Sequence, residues 1–251
     1  MTLGSEVRFN YQNPVARLFF MLFGVMDLHS HIRWNAIKEY MDNHCEKNVE
    51  VGGGWGVMSM EFAKKSHKAI DCIEIDSQSV ALGEFLAAKS ELKVKFLKDF
   101  LPNLSELGEN DYHQVFLIDV LEHVQADLES LIRINKLLIM NGKLVISVPT
   151  PIYPKVFGYE MTKKVGHVRD GYTITDLKEL LDNSGFNILD WKYHTNRIAS
   201  FLCRLWYKNN YPSAVRIVLF PICKAIATLD SIDRKKNSCG IAVKAIKVTD
   251  M

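Results

Sequence analysis

The chain has 251 residues, is 48% hydrophobic and 24% charged, and carries a formal net charge of +2. That balance excludes a disordered or fibrous chain and supplies the core of one large domain with appendages, while so small a charge, with no basic helix carrying interleaved aromatics, speaks against a nucleic-acid partner. Five cysteines (Cys45, Cys72, Cys203, Cys223, Cys239) are odd in number and lack C-x-x-C spacing, which disfavours a disulfide framework and a zinc site and points to a reducing, cytoplasmic compartment.

The opening MTLGSEVRFN lacks the pattern of a secretory signal. Residues 14–26 and 30–43 read as amphipathic helices, with Arg17, Arg33, Lys38 and Glu39 for the polar side. Strands are expected near 48–51, 70–75, 93–97, 114–118 and 143–148, alternating with helices near 55–66, 78–89 and 125–138. Such alternation predicts an α/β fold with a parallel sheet covered on both faces. A helix over 174–184, stopped at Asn183-Ser184-Gly185, leads to strand FNILDWKYH, and a last strand runs from Gly240 to Val248. Two helical patterns, RIASFLCRLWYKN and SAVRIVLFPICKAIATLD, intervene between these strands. The apolar runs at 15–26 and 213–229 are broken by Arg17, Arg216, Pro221 and Lys224, too short and too charged for a membrane span. The chain thus divides into a helical extension (1–44), a core (45–194), an insertion (195–238) and a final strand (239–251) of one domain.

Residues 49–56, VEVGGGWG, end the first strand with an acid, Glu50, and the glycines Gly52, Gly53, Gly54 and Gly56. Backbone without Cβ atoms lets a ligand approach closely, and the helix that follows presents unpaired N–H groups. About twenty residues on, Glu74 closes the second strand, where a carboxylate accepts from both hydroxyls of a ribose. A nucleoside-containing ligand follows. The spacing G-x-G-x-G differs from the G-x-G-x-x-G of dinucleotide loops, whose third place would fall on Val57.

EVGGGWG, CIEIDSQSV, DVLEHV (Asp119 to Val124) and LLIMNGKLVISVP resemble, in order, the motifs of class I S-adenosylmethionine-dependent methyltransferases. The resemblance spans roughly residues 45–195. It departs at His113, where many relatives have Asp, and at Met140-Asn141, which replaces Pro-Gly before Gly142. It implies a Rossmann-like, seven-stranded, mostly parallel sheet whose last strand lies antiparallel between the fifth and sixth. It also implies S-adenosyl-L-methionine as cofactor: Glu50 and the loop for the methionine part, Glu74 with Ile75 for the ribose, Asp99 and Phe100 for the adenine edge and face, and Asp119 at the end of the fourth strand. Asp99 alternatively serves only its own turn, and Glu74 is alternatively a solvated strand end.

A sulfonium already carries a good leaving group, so methyl transfer asks the protein to align the acceptor and, for a hydroxyl, to remove a proton. His123, beside Glu122 at the exit of the fourth strand, and His167, in the loop after the fifth, are the groups suited to that task. The resemblance sets His167 ahead of an aromatic and a helix cap, Tyr172 and Thr173. Alternatively Glu122-His123 opens the next helix, and His167 only positions the acceptor. Some relatives hold a metal at a pair such as Glu122 and His123 with a third ligand; local spacing here demands none, and none is expected.

The insertion leaves from the same rim as the site. Residues 192–251 hold eleven Lys or Arg against three Asp or Glu. Its apolar surface with Arg204, Lys208, Arg216, Lys224 and Arg234-Lys235-Lys236 suits either an anionic membrane at the cytoplasmic face or an internally packed lid. The expected acceptor is a small molecule, a sugar or a lipid-linked group, methylated on oxygen. A loose likeness to methyltransferases of bacterial surface-glycan synthesis points the same way. The rivals are a noncatalytic cofactor-binding subunit that supports a partner enzyme and, against the glycine spacing, a nicotinamide-dependent oxidoreductase.

Overall fold

The computed structural model describes residues 27–208, 213–230 and 238–251; the helix expected over 14–26 and the run Arg234-Lys235-Lys236 lie outside the described residues. Strands β1 (Asn48–Val51), β2 (Ile70–Glu74), β3 (Val94–Lys98), β4 (Tyr112–Ile118), β5 (Leu138–Pro149), β6 (Phe186–His194) and β7 (Gly240–Lys247) form one sheet in the order β3-β2-β1-β4-β5-β7-β6. All pairings are parallel except those of β7, which runs antiparallel to both β5 and β6. The seven-stranded Rossmann-like sheet with its inserted last strand is present as expected.

Helices α1 (Leu28–Ile37), α2 (Val57–Ser66), α3 (Ser77–Lys89), α4 (Asp127–Leu137) and α7 (Ile174–Asn183) cover the sheet. Successive strand residues point to opposite faces, so each strand feeds two cores. Val115, Leu117, Leu144 and Ile146 meet Leu131 and Ile134 of α4 and Leu177 and Leu181 of α7. On the other face Phe116, Ile118 and Val145 meet Trp34 and Ile37 of α1 and Phe62 of α2. Each such side chain contributes roughly 1.5–3 kcal/mol when buried, which makes the sheet a rigid platform for its C-terminal rim.

Three expectations need correction. The helix expected over 30–43 is α1, and it stops at Ile37. The segment read as a loop after the fifth strand contains α5 (Tyr153–Phe157) and α6 (Tyr159–Lys164), too short for a 3.6-residue period to register. The fifth strand begins at Leu138, directly after α4, rather than after a turn at Met140-Asn141-Gly142. The extra residues are absorbed by a register shift between the pairs Tyr112–Leu138 and Gln114–Lys143, with Asn141 at φ +64°.

The insertion folds as α8 (Arg197–Lys208) and α9 (Ser213–Asp230). Ala199, Cys203, Trp206, Phe220 and Ala227 pack with Leu28 and Ile32 of α1. Helix α1 is therefore held between the sheet and the insertion, and Arg33, expected on a solvent face, turns toward the sheet's rim instead. All five cysteines are free thiols.

Candidate active site

The C-terminal ends of β1, β4 and β5, with the first turns of α1, enclose a cleft of about 170 Å³ that opens to solvent. Its lining has a glycine side, from Glu50 to Trp55, and a histidine side, made by Asp119, Glu122, His123 and His167.

On the glycine side, Gly52 and Gly53 donate to the carbonyl of Ile73 at 2.8 and 3.0 Å, which folds the loop against β2. Gly52 sits at φ +73°, and a Cβ there would stand 2.4 Å from Val120 Cγ2, so packing alone requires glycine. Gly54, at φ +58°, differs: a Cβ there would meet nothing within 4 Å. Its bare backbone faces open space that a ligand can fill. The Gly54 N–H donates to Glu74 Oε2 at 2.8 Å, and Glu74 Oε1 accepts from the Asp76 N–H at 2.9 Å. Each carboxylate oxygen keeps a second lone pair. Glu50 is buried and accepts the Ser59 N–H at 2.8 Å together with the Ser59 hydroxyl. Burial, against the pull of Ser59, pushes its carboxyl up to about 7. Helix α2 opens at Gly56, which has no side chain to cap it; Glu50 instead takes the Ser59 N–H of its first turn.

Glu74, Ile75, Asp99 and Phe100 are not among the residues that line this cleft. The carboxylate of Asp99 accepts the N–H of Phe100 at 2.8 Å and of Glu106 at 3.0 Å, so it does serve its own turn. Ile75 and Phe100 follow the C-terminal ends of β2 and β3 and stand 60% and 50% exposed, apolar surface beside the glycine side.

The histidine side is a network of side chains. Asp119, at φ +53°, is ion-paired to Arg33. The Ser147 hydroxyl donates to Asp119 Oδ1 at 3.2 Å and lies 3.1 Å from His194 Nε2, while His194 Nδ1 is 2.9 Å from the Thr195 hydroxyl. These bonds are consistent with one chain of donors, from Thr195 through the Nε2–H tautomer of His194 and Ser147 to Asp119. Burial lowers His194 to about 3, so its ring is neutral.

Glu122 does not open a helix, which corrects that alternative. It lies in a single 3₁₀ turn, Leu121–His123, and α4 starts only at Asp127. Its side chain is 1% exposed, Oε2 has no hydrogen-bond partner, and burial together with the charge of Asp119 pushes the carboxyl well up. His123 Nδ1 lies 3.2 Å from the carbonyl of Gly166 and donates to it, which leaves the lone pair on Nε2. His167 packs edge-to-face on His123 at 4.7 Å between ring centroids. Burial lowers both imidazoles, His167 to about 4. Tyr172 is a buried strut whose hydroxyl donates to the Leu121 carbonyl at 3.1 Å, and Thr173 caps α7 in a reciprocal box with Asp176.

Sequence reasoning missed the contribution of α1. His29, Ser30 and Arg33 line the cleft, and His29 stacks on Tyr153, which stacks in turn on His167. The spacing of His29 and Arg33, four apart on one helix face, was the available signal.

The parallel sheet with an antiparallel strand between β5 and β6, and the glycine loop at the end of β1, are the architecture of class I S-adenosylmethionine-dependent methyltransferases. Residues 49–144 match the family model described as a methyltransferase domain. The cofactor of the class is S-adenosylmethionine. Among solved structures, a putative sarcosine dimethylglycine methyltransferase from Galdieria sulphuraria is similar at 14% identity and TM-score 0.63, covering 92% of this chain and 97% of that one. An S-adenosylmethionine-dependent methyltransferase from Mesorhizobium loti is 16% identical at TM-score 0.61, covering 88% of this chain and all of that one. Phosphoethanolamine N-methyltransferase 2 of Haemonchus contortus, in complex with S-adenosyl-L-methionine, is 14% identical at TM-score 0.64, covering 99% of this chain and 60% of that one. At such identities the likeness is one of fold. No curated protein matches the chain.

Proposed function

We propose that the protein methylates a hydroxyl of a lipid-linked or sugar acceptor, with S-adenosylmethionine as donor. The observation that carries the reading is the cluster of Glu122, His123 and His167 in the same cleft as the glycine loop. The cofactor supplies an electrophilic methyl group on sulfur. Gly52 to Gly56 and Glu50 would hold its methionine part, Glu74 with Ile75 its ribose, and Asp99 and Phe100 its adenine, with Asp119 bordering the loop. The open space over Gly54 supports that fit.

On the acceptor side, the lone pair of His123 Nε2 is the base offered to a hydroxyl, and His167, whose Nδ1 is buried without a partner, packs against that ring. Both rings are kept neutral near pH 7 by burial, so His123 can orient the hydroxyl and receive its proton while His167 positions it. Arg33 fixes Asp119, and the Gly166 carbonyl fixes the His123 ring. These contacts hold the pair in one geometry and reduce the ordering left for the reaction itself.

The outer face of the insertion supports a lipid-linked acceptor. Its inner face is packed, as the lid alternative requires, but Val215, Val218, Ile222, Ile226 and Leu229 of α9 form an exposed apolar stripe at three- and four-residue spacing. Ile198, Phe201 and Leu205 of α8 add to the exposed apolar surface. Residues 195–229 contain five Lys or Arg and no acid, the charge sign that an anionic lipid face attracts. Among the described residues, no helix is long and apolar enough to cross a membrane, so the contact would be peripheral.

The test is a cell extract incubated with the protein and S-adenosylmethionine labelled in its methyl group, then split into aqueous and lipid fractions. Label is expected in the lipid fraction. Label confined to water-soluble products would remove the lipid-linked part of the reading, and calorimetric binding of NAD in place of S-adenosylmethionine would remove the donor.

A further inference from the structure

We propose that Glu122, His123 and His167 form a binding site for a divalent first-row transition metal ion in the cleft. One ligand atom from each residue lies within 4.8 Å of the other two. Donors bound at 2.0–2.2 Å to a common ion stand about 3–4 Å apart, so closing the set asks for side-chain movements of under about 1 Å.

Two of the three residues carry a donor atom that makes no hydrogen bond in the fold. Glu122 is 1% exposed, and its Oε2 accepts no hydrogen bond; Nδ1 of His167 is also buried without a partner. Buried carboxylate oxygens and ring nitrogens are ordinarily paired, and an ion would satisfy both at once. The third donor is prepared in the way ligating histidines are. His123 gives its Nδ1–H to a backbone carbonyl at 3.2 Å, which fixes the tautomer and leaves Nε2 toward Glu122, 3.9 Å from Oε1.

The backbone keeps the three together although His167 is distant in sequence. The Val168 N–H donates to the Glu122 carbonyl at 2.9 Å, and the Tyr172 hydroxyl reaches the carbonyl of Leu121. The loop bearing His167 is thereby laced to the turn bearing the other two. The positive charge facing the cluster is Arg33, and it is ion-paired to Asp119; an ion bound at Glu122 would therefore displace the carboxyl's own proton rather than compete with the guanidinium. Two imidazoles and one carboxylate favour Zn²⁺, Co²⁺ or Mn²⁺ over Mg²⁺ and Ca²⁺, which prefer all-oxygen sets.

Three protein donors leave positions open on the cleft. With an ion bound, the ring lone pairs are taken up, and the ion rather than the imidazoles would activate an acceptor oxygen by Lewis acidity. That use rests on the methyl-transfer reading; the binding of the ion does not.

The test uses the full chain, stripped with chelator and titrated with Co²⁺, followed by visible absorption and by calorimetry. One ion per chain is expected, with d–d bands in the visible. His167→Ala and Glu122→Gln should each weaken Co²⁺ binding by about 10- to 100-fold and alter the spectrum, while S-adenosylmethionine binding stays within about threefold, which also reports that the variants are folded. Equal Co²⁺ binding by wild type and both variants, or no cobalt spectrum in the wild type, would overturn the site. Ion binding lost in the variants, with no acceptor methylated under any condition, would keep the site and remove the proposed reaction.

Discussion

On the glycine side of the cleft the surface offered to a ligand is mostly backbone from one short stretch, Gly52 to Gly56, with Glu50 and Glu74 bracing it from neighbouring strands. On the histidine side it is entirely side chains, and they come from α1, the turn after β4 and the loop after β5. The first arrangement suits a ligand that never varies, because backbone and glycine leave little to adjust. The second can be altered one side chain at a time, which is where a shared fold acquires its own acceptor. If this division is right, the two sides should come apart under mutation.

The largest separation is expected from the histidine side. His123→Ala should lower methyl transfer by about 10²-fold or more, the scale of losing a proton-handling group, with donor affinity nearly unchanged in calorimetry. A parallel loss of donor affinity would merge the two sides into one.

Glu50 tests the one deeply buried acid on the glycine side, in thermal melts without cofactor. Its folded carboxyl titrates near 7, above the usual 4.5, so the native state binds the extra proton. Wild-type stability therefore falls as pH rises from about 4.5 through 7, by up to about 3 kcal/mol. Glu50→Gln lacks that loss. Relative to wild type it should melt higher at pH 8 than at pH 5, and the opposite trend would mean that Ser59 holds a charged carboxylate at no cost.

Gly54→Ala should weaken S-adenosylmethionine at least about tenfold, since the added methyl projects into open space. The positive φ costs the fold only about 1–2 kcal/mol, a few degrees in melting temperature. Transfer at saturating donor should change least, and a collapse there would place Gly54 on both sides of the division.

The smallest effect on the cleft should come from the insertion. Val218→Glu with Ile222→Glu should reduce sedimentation with vesicles containing phosphatidylserine several-fold while leaving donor binding untouched. Unchanged sedimentation would return the stripe to an ordinary exposed helix face.

Much of the glycine side was legible beforehand because its information is local. Glu50, the glycines and Glu74 lie within 25 residues, and the bonds from Gly54 to Glu74 and from Ser59 to Glu50 follow from adjacent parallel strands. His123 and His167 were legible as types at the sheet's rim, but their mutual contact was not. Forty-four positions separate them, and the lacing by Val168 and Tyr172 depends on α5 and α6, which carry too few residues to show a period. Arg33 was assigned to solvent because an isolated helix reveals only which faces differ. It does not reveal that a second helical layer, α8 and α9, will cover the face opposite the sheet.

By itself, then, the sequence determined the order of the strands, the parallel sheet and the glycine loop at the end of β1, since periodicity and glycine act within a few residues. Tertiary structure alone decided that Glu122 is buried with one carboxyl oxygen unbonded, that Asp119 is held by Arg33, and that two distant histidines meet beside them. Burial and charge pairing belong to the packed molecule, and no spacing along the chain encodes which side chains will be taken out of water together.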